Sequence, residues 1–94
     1  MTNTRADELA EVLAAEGWQR PRPTDHWRYY AGVEVYEIQL HVAGGAILHA
    51  SLWDLTGPRQ LVATAYRAWP VGVRLQEIRR WISDPAAITP EPAS

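Results

Sequence analysis

Residues 33–55 show the alternation of apolar and polar side chains that is typical of two successive β-strands. The first strand has apolar residues at every second position, namely Tyr36, Ile38, Leu40 and Val42. A period of two places these side chains on one face, which we expect to be buried. The alternation resumes after Gly44 and Gly45, so the sequence predicts a β-hairpin that turns at the two glycines.

The register of this hairpin follows from the need to keep the apolar side chains on one face. If paired residue numbers sum to 90, all of them share a face, whereas a sum of 89 mixes apolar and polar residues on both faces. The first register pairs Val42 with Leu48 and places His41 opposite His49 on the other face. It also predicts an odd loop of three or five residues around the glycines.

Apolar residues at helical spacing predict two amphipathic helices, at residues 4–16 and at Val71 to Ser83. Gly17 stands where a left-handed C-terminal cap belongs. Trp18 is then expected to fold back on Leu13, as in the Schellman motif.

A third strand is predicted at residues 60–68, paired with the second strand in a register that sums to 113, with 114 nearly as good. Residues 19–32 contain Pro21 and Pro23 and are expected to be irregular. A brief edge strand at 27–30 and an arginine stacked on tryptophan remain open possibilities there.

These elements predict a small α+β domain of order αβββα, in which both helices cover one face of a three-stranded antiparallel meander. The predicted domain spans residues 1–84. Residues 85–94 are rich in proline and lack an apolar pattern, so we expect a disordered tail.

Amino-acid composition indicates where in a cell the protein could function. The 94 residues carry a net charge of −2 and include no cysteine, which excludes disulfides and thiolate metal sites. No run approaches the roughly 20 apolar residues of a membrane span. We therefore expect a cytoplasmic protein, and interpret the use of arginine without lysine as the mark of a GC-rich bacterial or phage genome.

Two helices on one face would leave the other face of the sheet open, with a composition too apolar for solvent and too polar for a core. This predicts a noncatalytic binding or regulatory protein that takes a protein partner or forms a homodimer. The alternative is that Trp18, Trp27 or the 19–32 segment covers this face. The predicted partner-binding residues are the anchors Trp53 and Tyr66, the apolar contacts Ile47 and Val62, and the polar pair His41 and His49.

The sequence offers little for catalysis. It has no GxSxG element, phosphate loop or dinucleotide glycine pattern, so neither an enzyme nor a cofactor is expected. His41 and His49 could share a metal with Glu37 nearby, but spacing fixes no third ligand and we predict no metal site. Protonation of both imidazoles would place like charges together, so a pH-sensitive interface is a further hypothesis.

The predicted order of one helix, three strands and one helix resembles the topology of double-stranded RNA-binding domains. The resemblance lies in the architecture alone, and no motif residue can be carried over from it. It implies nucleic-acid binding as the alternative function, through arginines that would have to converge in space. The candidate residues are Arg20, Arg22, Arg28, Arg74, Arg79 and Arg80.

Overall fold

A computed structural model describes residues 5–20, 26–88 and 90 of the chain. Two helices accompany a four-stranded antiparallel sheet in which the strands lie side by side in chain order. The α+β class is therefore as predicted, whereas the strand count is four and not three. The elements are α1 (Arg5–Ala15), β1 (His26–Ala31), β2 (Glu34–Ala43), β3 (Ala46–Asp54), β4 (Gln60–Ala65), α2 (Val71–Ser83) and a 3₁₀ helix (Pro85–Ala87).

The additional strand, β1, comes from the segment that was expected to be irregular, and it confirms the open possibility of an edge strand at 27–30, which it extends by one residue at each end. Its aromatic residues favour extended backbone, and it pairs antiparallel with β2, with Trp27 opposite Ile38. The connection is the two residues Gly32 and Val33, and Gly32 has a φ of 63° at the first position, as a type II′ turn requires. With four strands, the topological resemblance to double-stranded RNA-binding domains no longer holds.

The β2–β3 register is confirmed up to the pair His41 and His49, but it changes at the next pair. Val42 lies opposite Ile47, so Leu48 is the extra residue of a β-bulge. The extra residue changes the loop length from odd to even and leaves a loop of two glycines, with φ of 59° and 79°. Positive φ at both positions defines a type I′ turn. The prediction of an odd loop is therefore wrong.

A second bulge interrupts the pairing of β3 with β4. Leu52 lies opposite Ala63 and Trp53 opposite Leu61, which makes Val62 the extra residue. The predicted register, with a sum of 113, is wrong. The alternative sum of 114 holds only for the two pairs nearest the turn, because the bulge shifts the remaining pairs.

The buried apolar side chains form one cluster that combines both helices with alternate positions of all four strands. Trp18 and Trp27 belong to this core, where Trp27 lies opposite the buried Ile38. Of the 19–32 segment that was the other candidate for covering the opposite sheet face, residues 21–25 lie outside the described residues. The indole nitrogen of Trp18 donates a hydrogen bond to the Ile82 carbonyl over 3.0 Å, which ties the end of α1 to α2. The largest fully buried side chains are Trp81, Leu9, Leu13, Ile38, Ile47, Leu52, Ile78 and Ile82.

The predicted C-terminal cap of α1 is confirmed. Gly17 has a φ of 91°. Its N–H donates to the Ala14 carbonyl over 3.2 Å, and the Trp18 N–H donates to the Leu13 carbonyl over 2.9 Å. These two bonds make up the Schellman motif, and Trp18 and Leu13 are both buried in the same core cluster.

The ordered body continues past the predicted boundary at residue 84. Pro85 and Ile88 are buried, and Ile88 belongs to the core cluster, so apolar contact holds this stretch in place. Of the predicted disordered tail at 85–94, residues 89 and 91–94 lie outside the described residues. Within the described ranges, neither helix has the length and apolar character needed to cross a membrane.

Candidate binding surface on the outer face of the sheet

The strand positions that alternate with the core form a second sheet surface, which we call the outer face. All but one of its side chains are exposed or half-buried, the exception being Glu37. The outer-face residues are His26, Arg28, Tyr30, Val35, Glu37, Gln39, His41, His49, Ser51, Trp53, Leu61 and Thr64.

A hydrogen-bonded network holds the polar residues around Glu37. The Arg28 Nε donates to one carboxylate oxygen over 3.1 Å, and the Gln39 amide donates to the other over 2.8 Å. Burial alone would raise the pKa of Glu37, but the bonds from Gln39 and Arg28 outweigh it, and the pKa is lowered. Glu37 is therefore ionised at neutral pH, and the facing arginine balances its charge.

His41 and His49 lie opposite each other, as the register predicted, and their rings stack. The ring centroids are 3.8 Å apart with 17° between the planes. Burial lowers the pKa of His49, and the nearby His41, Arg67 and Arg74 lower it further. Among the described residues, no group of three or more histidine, cysteine or carboxylate side chains could hold a metal ion.

Trp53 lies on the outer face, where the register placed it, and Arg59 stacks on its ring. The guanidinium carbon is 4.1 Å from the ring centroid. The indole nitrogen donates to the Ser51 hydroxyl over 3.0 Å, which fixes the ring along the strand. Sequence reasoning missed Arg59 because the stack depends on how the turn at 55–59 folds back. The turn signal at Gly57 and Pro58 was the available clue.

Two of the predicted contact residues are not on the outer face. Ile47 is 1% exposed and Val62 is 4% exposed, and both belong to the core. The two β-bulges are the physical reason, because each adds a residue and changes which side chains point inward. Tyr66 lies one residue beyond β4, where its half-exposed ring packs edge-on against Trp69 with centroids 5.3 Å apart.

Five of the six arginines considered for nucleic-acid binding are described, and each has a different environment. Arg20 stacks over Trp27 at 5.1 Å, as the predicted arginine–tryptophan contact suggested. Arg28 contacts Glu37 on the outer face. The three on α2 differ, since Arg74 donates to backbone carbonyls, Arg80 pairs with Glu77 and Arg79 is exposed. Arg22 lies outside the described residues.

The protein is a small α+β domain whose antiparallel sheet packs one face into the core and leaves the other face exposed or half-buried. Comparison with protein-family models, curated proteins and solved structures finds no match to this chain. The function therefore has to be argued from the chemistry of the outer face.

Proposed function

We propose that this protein is a small noncatalytic, cytoplasmic binding protein whose binding surface is the outer face of the sheet. In this proposal, both helices cover the inner face of the sheet, which is the face opposite the binding surface. The single core that joins Leu9 and Leu13 of α1, Ile78 and Trp81 of α2, and Ile38 of the sheet supports this arrangement.

The observation that carries the proposal is the ordered state of side chains that remain accessible on the outer face. Stacking fixes His41 on His49 and Arg59 on Trp53, and a charged hydrogen bond fixes Arg28 on Glu37. Side chains that are already immobilised lose little conformational entropy when a partner binds. A purely solvated face would have no need of such order.

The partner class predicted from the sequence is another protein or a second copy of this chain. Trp53 and the exposed Leu61 supply apolar contact on the outer face, and Tyr30 adds a ring at its β1 side. The loss of Ile47 and Val62 to the core makes this face more polar than was predicted.

Native mass spectrometry of the freshly purified protein over a range of concentrations tests the outer face without assuming a partner. We expect the wild type as a dimer or with added mass. Trp53→Ala should weaken that assembly by on the order of 2 kcal/mol, or about 30-fold. Val73→Ala, at an exposed apolar position on α2, is the matched control and should leave it unchanged. Identical species for wild type and Trp53→Ala, with the fold retained, would contradict the proposal.

A further inference from the structure

We infer that the ligand of the outer face is single-stranded nucleic acid. This inference rests on the proposed function, since it names the partner of the same surface. Two stacked pairs on one sheet face carry the inference, namely His41 with His49 and Arg59 with Trp53. The one carboxylate on this face, Glu37, is already ion-paired with Arg28.

The outer face together with the arginines at its border is more positive than the chain as a whole. The chain carries a net charge of −2. Along the four strands, Glu37 is the one acidic residue at an outer-face position, and Arg28 balances it. Arg59 over Trp53 and Arg67 near His49 then leave a local excess of positive charge. Local positive charge attracts phosphates even on an acidic protein.

The planar side chains form two stacked pairs along β3. His49 with His41 makes the first, and Trp53 with Arg59 makes the second. His49 and Trp53 are four positions apart on the strand, which corresponds to about 13 Å. Bases stack on aromatic rings and on arginine planes without requiring a particular sequence. The outer side of the exposed His41 ring and the Arg59 guanidinium therefore offer surfaces for two bases of one strand.

The same features disfavour a duplex and a protein as the main ligand. A duplex is read by an element that enters a groove or by basic side chains that span it. On α2, however, Arg74 is bound to carbonyls and Arg80 to Glu77. A protein interface is usually built around an apolar centre. On the outer face, Trp53 lies opposite the buried Glu37, which is ion-paired with Arg28, so its apolar ring borders an ionic network.

Fluorescence anisotropy with labelled single-stranded DNA and RNA of about 12 nucleotides, within the ~4 to 16 that one small domain covers, tests the inference. We expect binding at low salt that Trp53→Ala weakens by about fivefold to hundredfold. Trp53→Phe keeps a ring and should retain most of the affinity. Arg59→Ala should weaken binding and reduce the log–log salt slope by about 0.7 for each phosphate that Arg59 neutralises in the wild type. Arg59→Lys should keep the slope while losing the planar stack.

Arg79→Ala is the matched control, because it removes the same charge from an exposed site on α2. If Arg79→Ala and Arg59→Ala weaken binding equally, the attraction does not come from the outer face and the inference is wrong. Absence of binding to either oligonucleotide at low salt, or a preference for a duplex of the same sequence, overturns it as well. If no oligonucleotide binds while Trp53→Ala dissociates a wild-type dimer, the outer face is a protein interface. The proposed function would then stand and the inference would fail.

Discussion

Replacement of Arg74 by alanine should destabilise the fold more than the loss of any other arginine on α2. The Arg74 guanidinium donates to the carbonyls of Ile47 over 2.5 Å, Trp69 over 3.0 Å and Arg67 over 3.1 Å. These bonds connect α2 to the bulged end of β3 and to the turn between β4 and α2. Arg79, on the same helix, is exposed and serves as the matched control.

The magnitude follows from which of these carbonyls water could reach after the substitution. A hydrogen bond from a charged donor contributes roughly 1.5 to 3 kcal/mol, and an exposed carbonyl recovers most of that from water. The bond to Arg67 is exposed, whereas those to Ile47 and Trp69 are partly buried, so two bonds count. The buried Nε of Arg74 has no hydrogen-bond partner among the described residues, and its removal returns about 1 kcal/mol. The expected net loss is about 3 kcal/mol.

Urea denaturation followed by circular dichroism measures this loss, and thermal denaturation provides a second reading, at roughly 4 to 8 °C for each kcal/mol. Arg79→Ala should stay within about 0.5 kcal/mol of the wild type. If Arg74→Ala is equally mild, the bonds to the Ile47 and Trp69 carbonyls contribute nothing measurable to stability and the reasoning is refuted.

Three further changes test separate parts of the fold. Gly44→Ala should cost about 1 kcal/mol in the free energy of unfolding, because alanine is strained at a φ of 59°, while Gly57→Ala, with no positive φ and open space around it, should be neutral by the same urea assay. Trp18→Phe removes the donor to the Ile82 carbonyl and should cost about 1 to 3 kcal/mol in urea denaturation, and a smaller loss would show that water replaces this bond. The pKa of His49 is lowered in the folded state, so the unfolded state binds the proton more tightly. The free energy of unfolding should therefore fall as the pH drops below about 6.5. His49→Gln should flatten this dependence in urea denaturation at a series of pH values, and an unchanged profile would contradict the prediction.

The sequence was most informative where one local pattern determined the structure. Alternation fixed the pairing of His41 with His49, because a slip would have moved apolar side chains into solvent. The glycine cap of α1 and the bounds of α2 followed from equally local signals. The sequence did not predict the full length of β1, because Pro21 and Pro23 just before it are signals for irregular backbone. The aromatic residues that follow them pair with β2, and this pairing depends on a neighbour that lies further along the chain.

The sequence contains no signal for the two bulges, and they determine which side chains the outer face presents. A regular ladder would place Ile47 and Val62 among the outer-face residues, as the sequence-based registers did. Both side chains are instead buried in the core. Broad apolar patches favour protein association, whereas isolated rings among arginines suit a chain of bases and phosphates. By burying two aliphatic side chains, the bulges leave the outer face with Trp53, the histidine stack and the arginines as its dominant chemistry. The choice between a protein and a nucleic-acid partner therefore depends on two irregular strand positions and not on the regular pattern of the sheet.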